Sequence, residues 1–173
     1  KIKLLSNRIF TVLMISAFGY LIFDFATIFA LVYIDSIPLW LVRFTHQGFI
    51  LFLDIALSSI YLYMDMLNRD QRRYSKAELS LIICSYIAVL VSIIFAPMYY
   101  YTEEDGIYSY GMMANCVYAV LIIYSGMTVF QTLRHIKKKE HRKQRICVLM
   151  TMALWIGFGG YQIIEPRVLI SSV

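Results

Sequence analysis

The sequence predicts an all-α fold: a polytopic transmembrane helical bundle of five spans, followed by the start of a sixth. Three observations predict it. Five long apolar stretches run through the 173 residues, and mean hydropathy is +0.67. Charged residues make up 16% of the chain, against roughly 25% in soluble proteins, so a soluble core of this length could not hide the apolar surface. The basic residues also fall on alternate connections. Of 16 Lys and Arg, three precede the first stretch, four lie in 68–76 and seven in 134–145. That is the positive-inside pattern, and it makes those segments cytoplasmic.

A helix needs about 20 apolar residues to cross the hydrocarbon. Span one, 9–34, follows Lys1, Lys3 and Arg8 and runs outward. It is too long for a signal peptide, contains Asp24, and has no small-residue cleavage site after it. The outer turn Asp35-Ser36-Ile37-Pro38 follows, with Pro38 suited to the first turn of the next helix. Span two, 39–67, returns to the basic loop 68–78. Span three, 79–98, ends with the help of Pro97. The outer loop 99–111 reads YYYTEEDGIYSYG, where Asp105-Gly106 between tyrosines is a hairpin or turn signal. This loop is either an interfacial tyrosine belt with a solvated turn or a small lid over the bundle mouth. Its candidate site residues are Glu104, Asp105, Gly106 and Tyr108. Span four, 112–133, meets the loop RHIKKKEHRKQR, and span five covers 146–164. From Val168 the chain reads VLISSV, too short to span and read as a sixth helix heading for the cytoplasm. With no initiator Met, the chain reads as a fragment. The expected location is a bacterial cell membrane, with residue 1 and loops 68–78 and 134–145 inside, and loops 35–38 and 99–111 outside.

Several function classes are excluded. The net charge of +5 is concentrated in two loops and a terminus, where topology and anionic lipid account for it and nucleic acid is not needed. Cys84, Cys116 and Cys147 are far apart with no CxxC pair, and read as small apolar residues within helices. Gly159-Gly160 lacks the Lys-Ser/Thr of a phosphate loop, and His135 and His141 have no partners at metal spacing. No catalytic constellation, cofactor motif or inverted repeat is recognisable, so this segment is expected to carry no enzyme activity, cofactor or metal.

Ionisable residues inside a span cost free energy and call for a role. Asp24 and Asp54 lie 16 and 15 residues from Arg8 and Arg69, which places both roughly 22–24 Å from the cytoplasmic boundary at about 1.5 Å per residue. Each sits on a polar stripe. Ser16, Tyr20, Asp24 and Thr27 share one face of span one; Gln47, Asp54, Ser58 and Asp65 share one of span two, with His46 at its flank. The stripes are either interhelical hydrogen-bonding surfaces or the wall of an outward-facing pocket for a ligand or proton. The pocket's candidates are Asp24, Tyr20, His46, Gln47, Asp54 and Ser58. Small residues predict close helix approach at Ser85, Ala88, Ser92 and Ala96 in span three, and at Ala153, Gly157 and Gly159-Gly160 in span five.

Several segments, taken in order, carry a resemblance. Ser6-Asn7-Arg8-Ile9-Phe10 leads to Phe23-Asp24; Ile37-Pro38-Leu39-Trp40 opens span two. Tyr101-Thr102-Glu103-Glu104-Asp105-Gly106-Ile107-Tyr108, with Gly111, precedes span four; Gly159-Gly160-Tyr161-Gln162, Pro166 and Ile170-Ser171-Ser172 close the chain. This order resembles the N-terminal multi-pass sensor region of Gram-positive, clostridia-like GGDEF-domain proteins, the diguanylate cyclases. The resemblance implies a further helix before Ser6, a sixth helix leading to a cytoplasmic catalytic domain, and a homodimer. That domain and its GGDEF signature are absent from these residues. Related membrane regions also precede phosphodiesterase or histidine-kinase domains. The function expected from this resemblance is sensory input to a domain synthesising cyclic di-GMP. The alternatives are a histidine-kinase sensor region and a transporter fragment using Asp24 and Asp54 as an ion path.

Overall fold

The structure, a computed structural model, describes residues 2–68, 76–103, 106–138 and 140–164. They form five helices and one hairpin: α1 Ile2–Val32, α2 Leu39–Asn68, α3 Lys76–Phe95, β1 Tyr99–Glu103, β2 Gly106–Tyr110, α4 Met112–Arg134 and α5 Arg142–Ile164. The expected all-α bundle is present, with the hairpin as an addition. Two stretches, Asn7–Val32 and Leu39–Asn68, are long and apolar enough to cross a membrane, with mean hydropathies of 2.0 and 1.6. The expected sixth helix and loop residues Glu104 and Asp105 lie outside the described residues.

The helix ends follow local chemistry. α1 gives way to turns over 33–36, and the Pro38 carbonyl accepts from Leu41 N–H at 2.8 Å, so Pro38 stands just outside α2. α3 stops at Phe95, short of the expected 98, because the residue before Pro97 is pushed out of helical backbone. Strands β1 and β2 pair antiparallel with Glu103 opposite Gly106, so Gly106 opens the second strand. Gly111, at φ 124°, turns the chain into α4. An added Cβ there would also lie 2.7 Å from the Pro97 carbonyl oxygen, so glycine is required on two grounds. Before α5, His141 takes φ 57°, and its carbonyl receives the Arg145 N–H at 3.1 Å.

Side-chain partners fix an up-and-down arrangement about α2. Phe10 of α1 meets Tyr63, Tyr20 meets Phe49, and Phe23 meets Phe44, so α1 runs antiparallel to α2. Gln47 reaches Ile93 and Ser58 reaches Tyr86, which makes α3 antiparallel as well. α4 is parallel to α2, with Tyr61 against Tyr124 and Asp65 against Gln131. α5 returns antiparallel from Asn68–Arg145 toward Tyr20–Trp155. One end of the bundle thus carries the hairpin and the α1–α2 turn, and the other carries Asn68, Arg145 and the α4–α5 loop.

The tightest approach is between α1 and α2. A Cβ on Gly19 would fall within 3.0 Å of the Phe52 ring, and one on Gly48 within 3.0 Å of the Phe23 ring. The expectation of close packing at the small residues of span five fails. Ala153 and Gly157 are exposed, and open space surrounds the Cβ positions of Gly157 and Gly160. Of the expected span-three residues whose side chains are described, only Ala96, just past the end of α3, is buried: Ala88 is exposed and Ser92 half-buried. Glycines were therefore used where aromatic rings cross the α1–α2 seam, a pattern that spacing of small residues alone does not reveal.

The core follows α2. Leu53, Leu57 and Ile60 pack with Val120, Tyr124 and Met152; Ile50 packs with Ile93, Ala96 and Met113. The five residues Ala56 to Ile60 are all buried, so α2 is enclosed on every side there. The outside is the inverse of a soluble surface. Phe25 of α1 is 70% exposed and Phe95 of α3 76%, and Phe18, Phe29, Ile94, Phe130 and Leu154 also project outward. Inside stand Ser16, Thr27, His46, Asp54, Ser58, Asp65, Thr128, Thr132 and Arg145.

Candidate functional site: the polar faces of the central helix

Because α2 is enclosed, each polar side chain it carries must find a partner or bear the cost of burial. Most find one, on β1, α3, α4 or α5. At the hairpin end, the buried His46 ring places Nδ1 3.0 Å from the Val42 carbonyl and 3.4 Å from the Tyr100 hydroxyl. Arg43 donates to the Ile94 and Ala96 carbonyls, both at 3.2 Å, and so caps the C-terminus of α3. Gln47 adds a bond to the Ile93 carbonyl at 2.9 Å. Burial pushes the Tyr100 hydroxyl up to about 12, with the Arg43 charge pulling the other way, so Tyr100 is a neutral phenol at physiological pH.

Midway along α2, Ser58 donates to the Asp54 carbonyl at 2.7 Å and is hydrogen-bonded to the Tyr86 hydroxyl of α3. Asp54 itself is 1% exposed, and neither carboxylate oxygen has a hydrogen-bond partner. At the opposite end, Asp65 accepts from Gln131 of α4. Arg145 of α5, 1% exposed, donates from Nε to Asn68 Oδ1 at 2.9 Å. Its Nη1 donates to the Lys138 and Glu140 carbonyls at 2.9 and 2.6 Å.

The stripes expected from spacing do face inward. In α1, Ser16 and Thr27 are buried, and Tyr20 and Asp24 are half-buried. Tyr20 stands between Phe49 and Trp155, bridging α1 to α2 and α5. Along α2 the pocket's candidates extend from His46 to Ser58, roughly 18 Å at about 1.5 Å per residue; His46 meets Tyr100 of β1, while Gln47 and Ser58 bond to α3. Asp24 and Asp54 do not share a level. Gly48 faces Phe23, so Asp24 lies beside the region of Gln47, about seven residues or ~10 Å from Asp54. Counting from Arg8 and Arg69 misled because α1 starts at Ile2, and Arg8 is already well inside the helix.

Of the outer-loop candidates, Gly106 and Tyr108 stand in β2, where Tyr108 is in register with Tyr101. Sequence reading passed over Arg43, Tyr86, Tyr100, Gln131, Asn68 and Arg145, the partners on which the α2 residues depend. A polar residue inside an apolar stretch, as Arg43 and Tyr86 are, was the available signal. Among the described residues no group of three or more His, Cys, Asp or Glu side chains could hold a metal ion.

Protein-family models, curated proteins and solved structures were each compared with the chain, and none matches it.

Proposed function

We propose that this chain is a membrane-embedded sensory input module of a bacterial signalling protein, with all five helices crossing the bilayer. One observation carries the membrane reading: large apolar side chains face outward on α1, α3, α4 and α5, while hydroxyl, carboxyl and guanidinium groups are packed inside. Water would penalise that arrangement heavily, whereas hydrocarbon favours it. Basic loops at the Arg145 end make that end cytoplasmic, and the hairpin end extracellular.

The sensory reading rests on Asp54. The other polar groups of α2 at the His46, Gln47, Ser58 and Asp65 positions are committed to neighbouring elements, whereas the Asp54 carboxyl is buried without a partner. Such a group raises the energy of the packing that contains it, so a cue that neutralises or engages it shifts the balance between packings. The order of segments resembling GGDEF-protein sensor regions supports a cytoplasmic output domain after a sixth helix, a diguanylate cyclase acting as a homodimer. The test is cellular cyclic di-GMP in bacteria expressing the parent gene with and without Asp54→Asn. At equal membrane levels the variant should change cyclic di-GMP severalfold, and an unchanged level overturns Asp54 as the sensing residue. A transporter reading is also favoured by an unpartnered intramembrane carboxyl; proton flux in liposomes that vanishes in Asp54→Asn would establish it in place of the sensor.

A further inference from the structure

We propose that the junction of α4 and α5 binds the phosphate headgroup of an anionic phospholipid. The inference rests on the membrane reading above and adds a ligand to it. Arg134 ends α4, and Lys137, Arg142 and Lys143 follow within ten residues; all four side chains are exposed. Flexible loops rarely hold such a concentration of like charge in one place, because the charges repel. Here Lys138 and Glu140 are held. The buried Arg145 guanidinium donates to the Lys138 and Glu140 carbonyls and to Asn68 at the end of α2, fastening the loop back onto the bundle. His141 in left-handed backbone completes the reversal into α5. The exposed cations therefore project from a fixed platform.

The position selects the ligand. The platform lies where the apolar outer faces of α4 and α5 end, next to the exposed Leu133 and Ile146. A ligand meeting both surfaces needs an anionic head and hydrocarbon tails, which is the chemistry of a phospholipid and not of a free anion. The carboxylate of Glu140 is largely exposed and pairs with His141, at 3.7 Å.

The experiment uses the chain reconstituted in phosphatidylcholine bilayers with a trace of spin-labelled lipid. The motionally restricted fraction is compared for labelled phosphatidylglycerol and labelled phosphatidylcholine. Phosphatidylglycerol should be preferred, and the preference should be lost when Arg134, Lys137, Arg142 and Lys143 are all replaced by Gln, since each interfacial cation contributes about fivefold. Should that variant fail to insert, the pairs Arg134→Gln/Lys137→Gln and Arg142→Gln/Lys143→Gln are read instead. Arg8→Gln/Lys76→Gln, elsewhere at the same end, should leave the preference intact. Added inorganic phosphate should not displace the restricted lipid. A preference that survives the fourfold variant, is abolished by the Arg8/Lys76 pair, or yields to phosphate overturns the inference. Equal restriction of both lipids overturns it while leaving the membrane reading in place; no restricted lipid of either kind overturns the membrane reading itself.

Discussion

Arg145 shows how much one side chain can organise. Its guanidinium is buried against one amide oxygen and two backbone carbonyls, each accepting a charge-assisted bond. Arg145→Ala leaves the Asn68 amide oxygen buried without its donor and should cost about 1–3 kcal/mol, read as a lower midpoint of thermal unfolding in detergent. Arg145→Lys should recover little, because an ammonium cannot serve three acceptors spread over the planar fork of a guanidinium. At the other end, Tyr100 supplies a pH prediction. Its proton is held more tightly in the fold, up to about 12, than the ordinary phenol value of 10.0. The contribution to hairpin docking is therefore complete below pH 10 and is lost as pH rises through about 12. Tyrosine difference absorbance on alkaline titration should show this step, and Tyr100→Phe should lower its amplitude by one tyrosine.

Elements are joined by two devices: aromatic rings over glycines between α1 and α2, and polar ties from α2 to everything else. Phe23 packs on Phe44 and Phe52 as well as over Gly48, so its ring has little room to yield. Gly48→Ala should therefore cost about 1–3 kcal/mol through overpacking, and adding Phe23→Leu should restore part of the loss. A thermal midpoint for Gly48→Ala equal to wild type would show that the seam is looser than the close approach implies. The ends at Pro38 and Pro97 were legible in the sequence, since prolines punctuate the chain locally, whereas α1 begins at Ile2, seven residues before the expected apolar span. The seam was not legible. Nothing in the spacing distinguishes Gly48, crossed by a ring, from Gly157, which faces open space.

For the whole molecule the decisive prediction is its orientation. In a cysteine-free variant, single cysteines at Ser36 and Lys137 should react with an impermeant thiol reagent from opposite faces of the cell membrane, Ser36 from outside. Labelling of both from one side would remove the alternating topology, and with it the placement of the basic end in the cytoplasm. α2 touches α1, α3 and α4 and meets α5 at Met152 and Arg145. On the proposed sensory reading, a shift at Asp54 would therefore reach every other helix.

Hydropathy, charge asymmetry and prolines, read from the sequence by themselves, determined the helices, their order and the inward direction of the polar stripes. These are properties of single segments: a 3.6-residue repeat decides which side chains share a face, and local composition decides whether a segment is apolar. The depth of Asp24 relative to Asp54, the role of Arg145 and the isolation of the Asp54 carboxyl were decided only by tertiary structure. Each depends on the register between helices and on partners up to 77 residues away, as between Asn68 and Arg145. Interhelical register is set by which side chains interlock across a seam, and a one-dimensional pattern does not contain that information.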